Sequence, residues 1–158
     1  MIGWASAPYD PSWANRFPKR AAVMAAAGPT ANFALSILAA IGIRVGLAMG
    51  AFDLPAGGIS LDTLVVGEPG VASGLALFLS VLFSINLILG CFNLIPLPPL
   101  DGSKILMGFA PPNVQNLLFR AERYGFFLII ALLYFGVLNP VIDFFRWMIL
   151  SVINLMLG

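Results

Sequence analysis

Phe92-Asn93-Leu94-Ile95-Pro96-Leu97-Pro98-Pro99-Leu100-Asp101-Gly102 closes a long apolar run with three prolines and then a carboxylate. Proline lacks the backbone donor and its ring blocks helix continuation, so a helix entering this stretch must break within it. Broken backbone at membrane depth is tolerated only where protein or a watery cavity surrounds it. An ionisable side chain beside such a break is costly to bury and is by default a functional site. Asp101 is the residue on which a function would turn.

The composition supports a membrane setting for that break. The 158 residues are 60% hydrophobic and 9% charged, against roughly 25% charged in soluble chains. Long apolar runs predict an all-α polytopic membrane protein, a single membrane domain over residues 1–158 with about three to four transmembrane helices. A net charge of +1 and the lack of a basic stripe argue against a nucleic-acid partner. The single cysteine, Cys91, excludes an internal disulfide and reads as a small core side chain. Residues 1–20 are polar, aromatic and proline-broken, unlike the continuous apolar core of a signal peptide.

Working outward from the break, residues 71–95 form a charge-free membrane segment. Asn86 and Asn93 lie two helical turns apart on one face with Gly90, and Asn86 is expected to hydrogen-bond a neighbouring helix. Residues 21–52 form the other core segment. Gly28-Pro29 is expected to interrupt it, leaving a main helix from Pro29 to Met49, about 31 Å at helical rise and long enough to span. Asn32 and Ser36 share one face of it, and Gly42, Gly46 and Gly50 repeat at the same interval as a packing face. Arg44 is placed to snorkel to an interface. The connecting loop, residues 53–70, carries Asp53, Asp62 and Glu68 and no basic residue, and weak alternation over residues 59–65 predicts a short strand.

The flanks read as interfacial. Trp4, Tyr9 and Trp13, followed by Arg16, Lys19 and Arg20, form an arm over residues 1–20 suited to the membrane surface. After the break, residues 96–123 form a cytoplasmic-side segment in which Pro111-Pro112 ends a short helix and residues 113–123 form an interfacial one. Asp101 could cap a helix running from Ser103 or could serve a site. In the third apolar region, residues 124–158, Asn139-Pro140 makes a division, and Asp143 is spaced to pair with Arg146. Basic residues before the first core segment and after the second, with an acidic loop between the two, put the Asp101 end on the cytoplasmic side.

The pattern Asn-x-x-Pro-x-x-x-Leu-Asp-Gly from Asn93 to Gly102 resembles the site-2 protease family of intramembrane zinc metalloproteases. Two further pieces match: Gly3-Trp4-Ala5 with Pro8 and Asp10-Pro11, and Ala27-Gly28-Pro29-x-x-Asn32. The resemblance implies that Asp101 is a zinc ligand and that Asn93 positions substrate or the developing oxyanion. Gly28, Pro29, Asn32, Pro96 and Gly102 support the motif. It also implies transmembrane protein substrates, here without a PDZ insertion, in the cytoplasmic membrane of a prokaryote.

The family's other two ligands are histidines of an HExxH helix whose glutamate is the general base, and this chain contains no histidine. Zinc in such enzymes takes three protein ligands and leaves a fourth position for water; one of the three is present here. The 158 residues alone are therefore expected to be inactive, as the C-terminal part of such an enzyme whose catalytic helix lies outside this sequence, or with a partner helix supplying the histidines. The alternatives are a pseudoprotease that binds membrane clients without cutting them, and a small transporter or channel component in which Asp101 is an ion site.

Overall fold

A computed structural model of the protein describes residues 11–137, 139–140, 143–144, 147–148 and 151–153. A short helix α1 (Pro11–Arg16) leads through Phe17 into α2 (Pro18–Ala48), whose first helical residue is a proline. That position suits proline, since the first helical N–H has no partner in any case. Helix α2 runs 31 residues without interruption, about 46 Å at helical rise and longer than the hydrocarbon core it would cross. Its first turn, with Lys19 and Arg20, therefore reaches beyond the core.

The expected interruption at Gly28-Pro29 does not occur. Pro29 lies inside α2 and is buried. Next to it the Thr30 hydroxyl donates to the Ala26 carbonyl at 2.7 Å, adding a side-chain bond where the proline ring disturbs the backbone ladder. Expected bounds of 21–52 for this segment thus become 18–48, and the arm residues 11–16 and 18–20 are helical. Trp4, Tyr9 and the Gly3-Trp4-Ala5 match lie outside the described residues.

Helix α2 ends at Met49 and Gly50, where Gly50 takes a φ of 69° that side chains rarely adopt. The chain then forms a two-residue antiparallel pair, β1 (Phe52–Asp53) with β2 (Val66–Gly67), before entering α3 (Val71–Asn93). The strand expected over residues 59–65 is irregular backbone instead, and pairing falls on the residues flanking it. Leu64 and Val65 point into the core rather than along a ladder, their N–H groups donating to the Ser80 hydroxyl of α3 at 3.1 and 3.4 Å. Within the loop, the Ser60 hydroxyl donates to the Asp62 carboxylate and holds that carboxyl below its ordinary range.

The core lies between α2 and α3. Ala39, Ile43, Phe52, Leu64, Ala76, Phe83, Leu87 and Cys91 pack together there, with Ile153 from the C-terminal region. Cys91 is a buried core side chain, as expected. The glycines of α2 serve contact: Gly42 faces Leu79, and Gly46 receives the Phe52 ring, which a Cβ would overlap. Gly46→Ala is expected to expel that ring and cost about 1–3 kcal/mol, read as a lower melting temperature in detergent that Phe52→Ala in the same chain partly restores.

Polar contacts across the pair differ from the expectation. The Asn86 amide donates to Leu82 of its own helix at 2.8 Å, not to a neighbour. The interhelical bond comes from Ser36, whose buried hydroxyl donates to the Phe83 carbonyl at 3.2 Å. A carbonyl already inside its own helix can accept a second bond, so a serine facing it suffices where an asparagine was expected.

Beyond the break come α4 (Asp101–Met107), α5 (Pro112–Glu122) and α6 (Gly125–Tyr134). Helix α4 packs against α2, and a Cβ on Gly108 would overlap Ala22 and sit 3.0 Å from the Pro18 carbonyl. A short helix and a second one after it are both present, but α4 ends at Met107, before Pro111, and α5 takes Pro112 as its first residue. The division of the last region falls earlier than Asn139-Pro140, at Phe135 to Val137, where Gly136 has a φ of 68°. The described residues from 139 to 153 are helical. Asp143 is exposed, and the expected Asp143–Arg146 pair lies outside the described residues because it rests on Arg146. Among the described residues two helices, α2 and α3, are long and apolar enough to cross a membrane, while α6 spans 10 residues.

Candidate metal and catalytic site

Helix α3 stops at Asn93 because the chain has run into its prolines, and the backbone then descends through consecutive tight turns. Leu94 N–H donates to Cys91, Ile95 to Phe92, Leu97 to Ile95 at 2.8 Å and Leu100 to Leu97 at 2.9 Å. The Pro98-Pro99 bond is cis. These bonds satisfy the donors that the break would otherwise strand, which is what irregular backbone at membrane depth requires. The start of α6 is laid on this turn: a Cβ on Gly125 would come within 2.7 Å of the Pro99 nitrogen.

Gly102 closes the turn. A side chain there would strike the Leu94 and Ile95 carbonyl groups, coming within 2.5 Å of the Leu94 carbonyl carbon. Only glycine lets the first turn of α4 press on the end of α3 in this way. Asp101 is consequently the first residue of α4, with Leu100 in the capping position. The capping role considered for Asp101 does not hold: its side chain makes no cap bond, and the local bond is made by Ser103, whose hydroxyl donates to the Leu100 carbonyl at 2.8 Å.

The Asp101 side chain reaches α2 instead. Its Oδ2 lies 3.0 Å from where a Cβ on Gly28 would stand. The absent side chain at Gly28 is what admits the carboxylate to the α2 surface. Asp101 is half-buried, and its carboxylate takes no hydrogen bond or ion pair from any other described residue. Pro29 is buried beside Gly28, and Asn32 follows one turn later on the same face, half-buried. Asn93 is half-buried at the end of α3, Gly90 receives the Phe33 ring, and Pro96 is exposed. The structure thus joins two sequence motifs, Gly28-Pro29 and Leu100-Asp101-Gly102, at one point.

Two elements of this region carried no recognisable signal in the sequence. Gly125 under the proline turn and Phe33 against Gly90 each depend on a neighbour distant in the chain. Nor does the site coincide with the nearby cavity of about 130 Å³, which is lined by Pro18, Ala21, Lys104, Met107 and Glu122 among others and not by Asp101.

Read as a donor set, the region offers one carboxylate. No group of three His, Cys, Asp or Glu side chains comes together among the described residues. Cys91 is buried in the apolar core, and there is no histidine in the sequence. A catalytic zinc needs three protein ligands, so these residues do not by themselves make a zinc site. The open carboxylate of Asp101 fits the part of a single ligand.

Two helices long and apolar enough to cross a membrane, one ending in a proline-broken turn that presents a carboxylate, fit an integral membrane protein. The family model for peptidase family M50 matches residues 5–136. The chain belongs to that family, the site-2 proteases, whose members are expected to use zinc. It is similar to the protein described as "Putative zinc metalloprotease YwhC" from Bacillus subtilis (strain 168), with 33% identity over 135 residues. The match covers 85% of this chain and 53% of that protein, so the chain spans about half the length of the relative it matches. No solved structure matches it.

Proposed function

We propose that these residues form one membrane domain of a site-2-protease-like intramembrane zinc metalloprotease that hydrolyses peptide bonds in transmembrane proteins. Asp101 serves as one zinc ligand. The two imidazoles and the glutamate base come from an HExxH helix outside these 158 residues, or from a partner helix, and without them the chain is inactive. The observation that carries this reading is the Asp101 carboxylate held at Gly28 with no other described protein partner. A ligand awaiting a metal should be positioned and uncommitted, and Asp101 is both.

In this reading Gly28, Pro29 and Asn32 form the wall against which the carboxylate is set, and Pro96 and Gly102 build the turn that aims it. Asn93, at the end of α3, offers an amide donor to a substrate carbonyl or the charge that develops on it. The length of the last apolar region in the sequence, residues 124–158, suggests one or two further spans, three to four altogether. A site toward the cytoplasm, in the membrane of a prokaryotic cell, is the orientation that the basic end of α2 and the basic segment after Asp101 favour.

The test is zinc content and cleavage of a single-span reporter, measured for this chain alone and for the chain joined to an HExxH-bearing helix of its family. The chain alone is expected to hold no stoichiometric zinc and to leave the reporter intact, while the joined protein does both. Asp101→Asn should then abolish cleavage and zinc retention together. Reporter capture without cleavage by the joined protein would instead favour a non-catalytic binding protein, a reading to which the missing histidines give some ground.

A further inference from the structure

Helix α5 and the residues after it carry features that a role in proteolysis does not use. Phe119, Arg120, Glu122, Arg123 and Tyr124 line an open cleft of about 520 Å³. Arg120 and Arg123 are exposed, and neither makes an ion pair with a described residue. The acid in the cleft is engaged elsewhere: Glu122 pairs with Lys104 of α4 at 3.8 Å. The cleft is thus positively charged and edged by rings, with Phe119 45% and Tyr124 63% exposed. Leu117, earlier in the chain, and Phe126, later in it, are exposed apolar side chains as well.

Its place in the fold selects the ligand. Helix α4 packs on the beginning of α2, so the helix that follows it stands at the same end of the spanning pair as Lys19 and Arg20. The connection at the opposite end of the pair holds Asp53, Asp62 and Glu68. A soluble anion would be served by the arginines alone. Exposed rings and aliphatic side chains flanking them suit a ligand with a phosphate head and a hydrocarbon body. Arginine meets phosphate oxygens with paired N–H donors, and aromatic side chains settle at the depth where headgroup passes into acyl chain.

We propose that this cleft is a binding site for the headgroup of an anionic phospholipid, with Arg120 and Arg123 on the phosphate and Phe119 and Tyr124 against the glycerol and upper acyl region. The Lys104–Glu122 pair links the site to α4, the helix that Asp101 begins. The proposal is independent of the proteolytic reading, since it invokes neither zinc nor cleavage.

Titration of the detergent-solubilised chain with dioleoylphosphatidylglycerol or dioleoylphosphatidylcholine, read by native mass spectrometry, tests it. The anionic lipid should bind the tighter. Arg120→Gln with Arg123→Gln should weaken it on the order of thirtyfold, from a contribution of about fivefold per arginine at a membrane surface. Arg120→Lys with Arg123→Lys keeps the charge and the fold but loses the paired donors, and should weaken binding by a few-fold. Lys19→Gln with Arg20→Gln, basic residues at the same end but outside the cleft, should leave it unchanged. Equal binding of the two lipids would overturn the proposal, as would a loss confined to the Lys19 and Arg20 variant. Displacement of the anionic lipid by millimolar inorganic phosphate would reduce the cleft to a soluble-anion site and overturn it equally.

Discussion

Replacing Gly102 by alanine is expected to destabilise the protein by about 3 kcal/mol, at the upper end of what overpacking usually costs. The cause is the kind of atom the new methyl group would meet. It would fall on the carbonyl groups of Leu94 and Ile95, which belong to backbone fixed by the end of α3 and the turns after it. A flexible side chain could swing aside, whereas these carbonyls cannot move without breaking the hydrogen bonds that carry the chain from Asn93 to Leu100. Gly57→Ala makes the comparison, since nothing lies within 4 Å of its Cβ position and its φ is not in the left-handed region. That substitution should stay within about 0.5 kcal/mol of the parent. Thermal melts of the two variants in one detergent measure the difference. A Gly102→Ala protein that melts with its parent would mean that α4 does not press on α3 as described.

The site was legible in the sequence where one residue type admits few explanations. Three prolines after an apolar run, followed by a carboxylate, announced a break and a site in water-poor surroundings, and the break is found between Asn93 and Asp101. What the local pattern could not reveal was the partner across space. Gly28 and Asp101 were each prominent, but only the packing of α4 on α2 brings them together. Proline also misled once. The rule that it breaks helices is calibrated on interiors surrounded by water, and Pro29 is instead carried within a continuous α2, buried, with the Thr30 hydroxyl bonded nearby. The same local reading set a strand on residues 59–65 from alternation alone. There the alternating residues are used singly, Leu64 and Val65 entering the core while Ser60 and Asp62 bond each other outside it.

Substitution of Gly28 separates the stability of the helix from the placement of the carboxylate, and the two should change in opposite directions. Gly28 is exposed within α2, where glycine costs a helix about 0.5–1 kcal/mol relative to alanine. Gly28→Ala should therefore hold or raise the melting temperature. Its methyl group would stand 3.0 Å from Asp101 Oδ2, close enough that the carboxylate must give way by a few tenths of an ångström. Gly28→Val places a second branch in the same space and demands a larger displacement. If Asp101 binds the metal of the complete protease, small errors in its position are costly, because a misplacement of about 1 Å can lower turnover on the order of a hundredfold. Cleavage of a single-span reporter should fall about tenfold for Gly28→Ala and about a hundredfold for Gly28→Val, with the protein still folded. A fold-destabilising substitution cannot produce that combination, and neither can a carboxylate that serves only to start a helix. Unchanged cleavage by a folded Gly28→Val enzyme would remove Asp101 from the reaction. Reduced cleavage at an unchanged or higher melting temperature would tie the chemistry to the one contact where the two motifs meet.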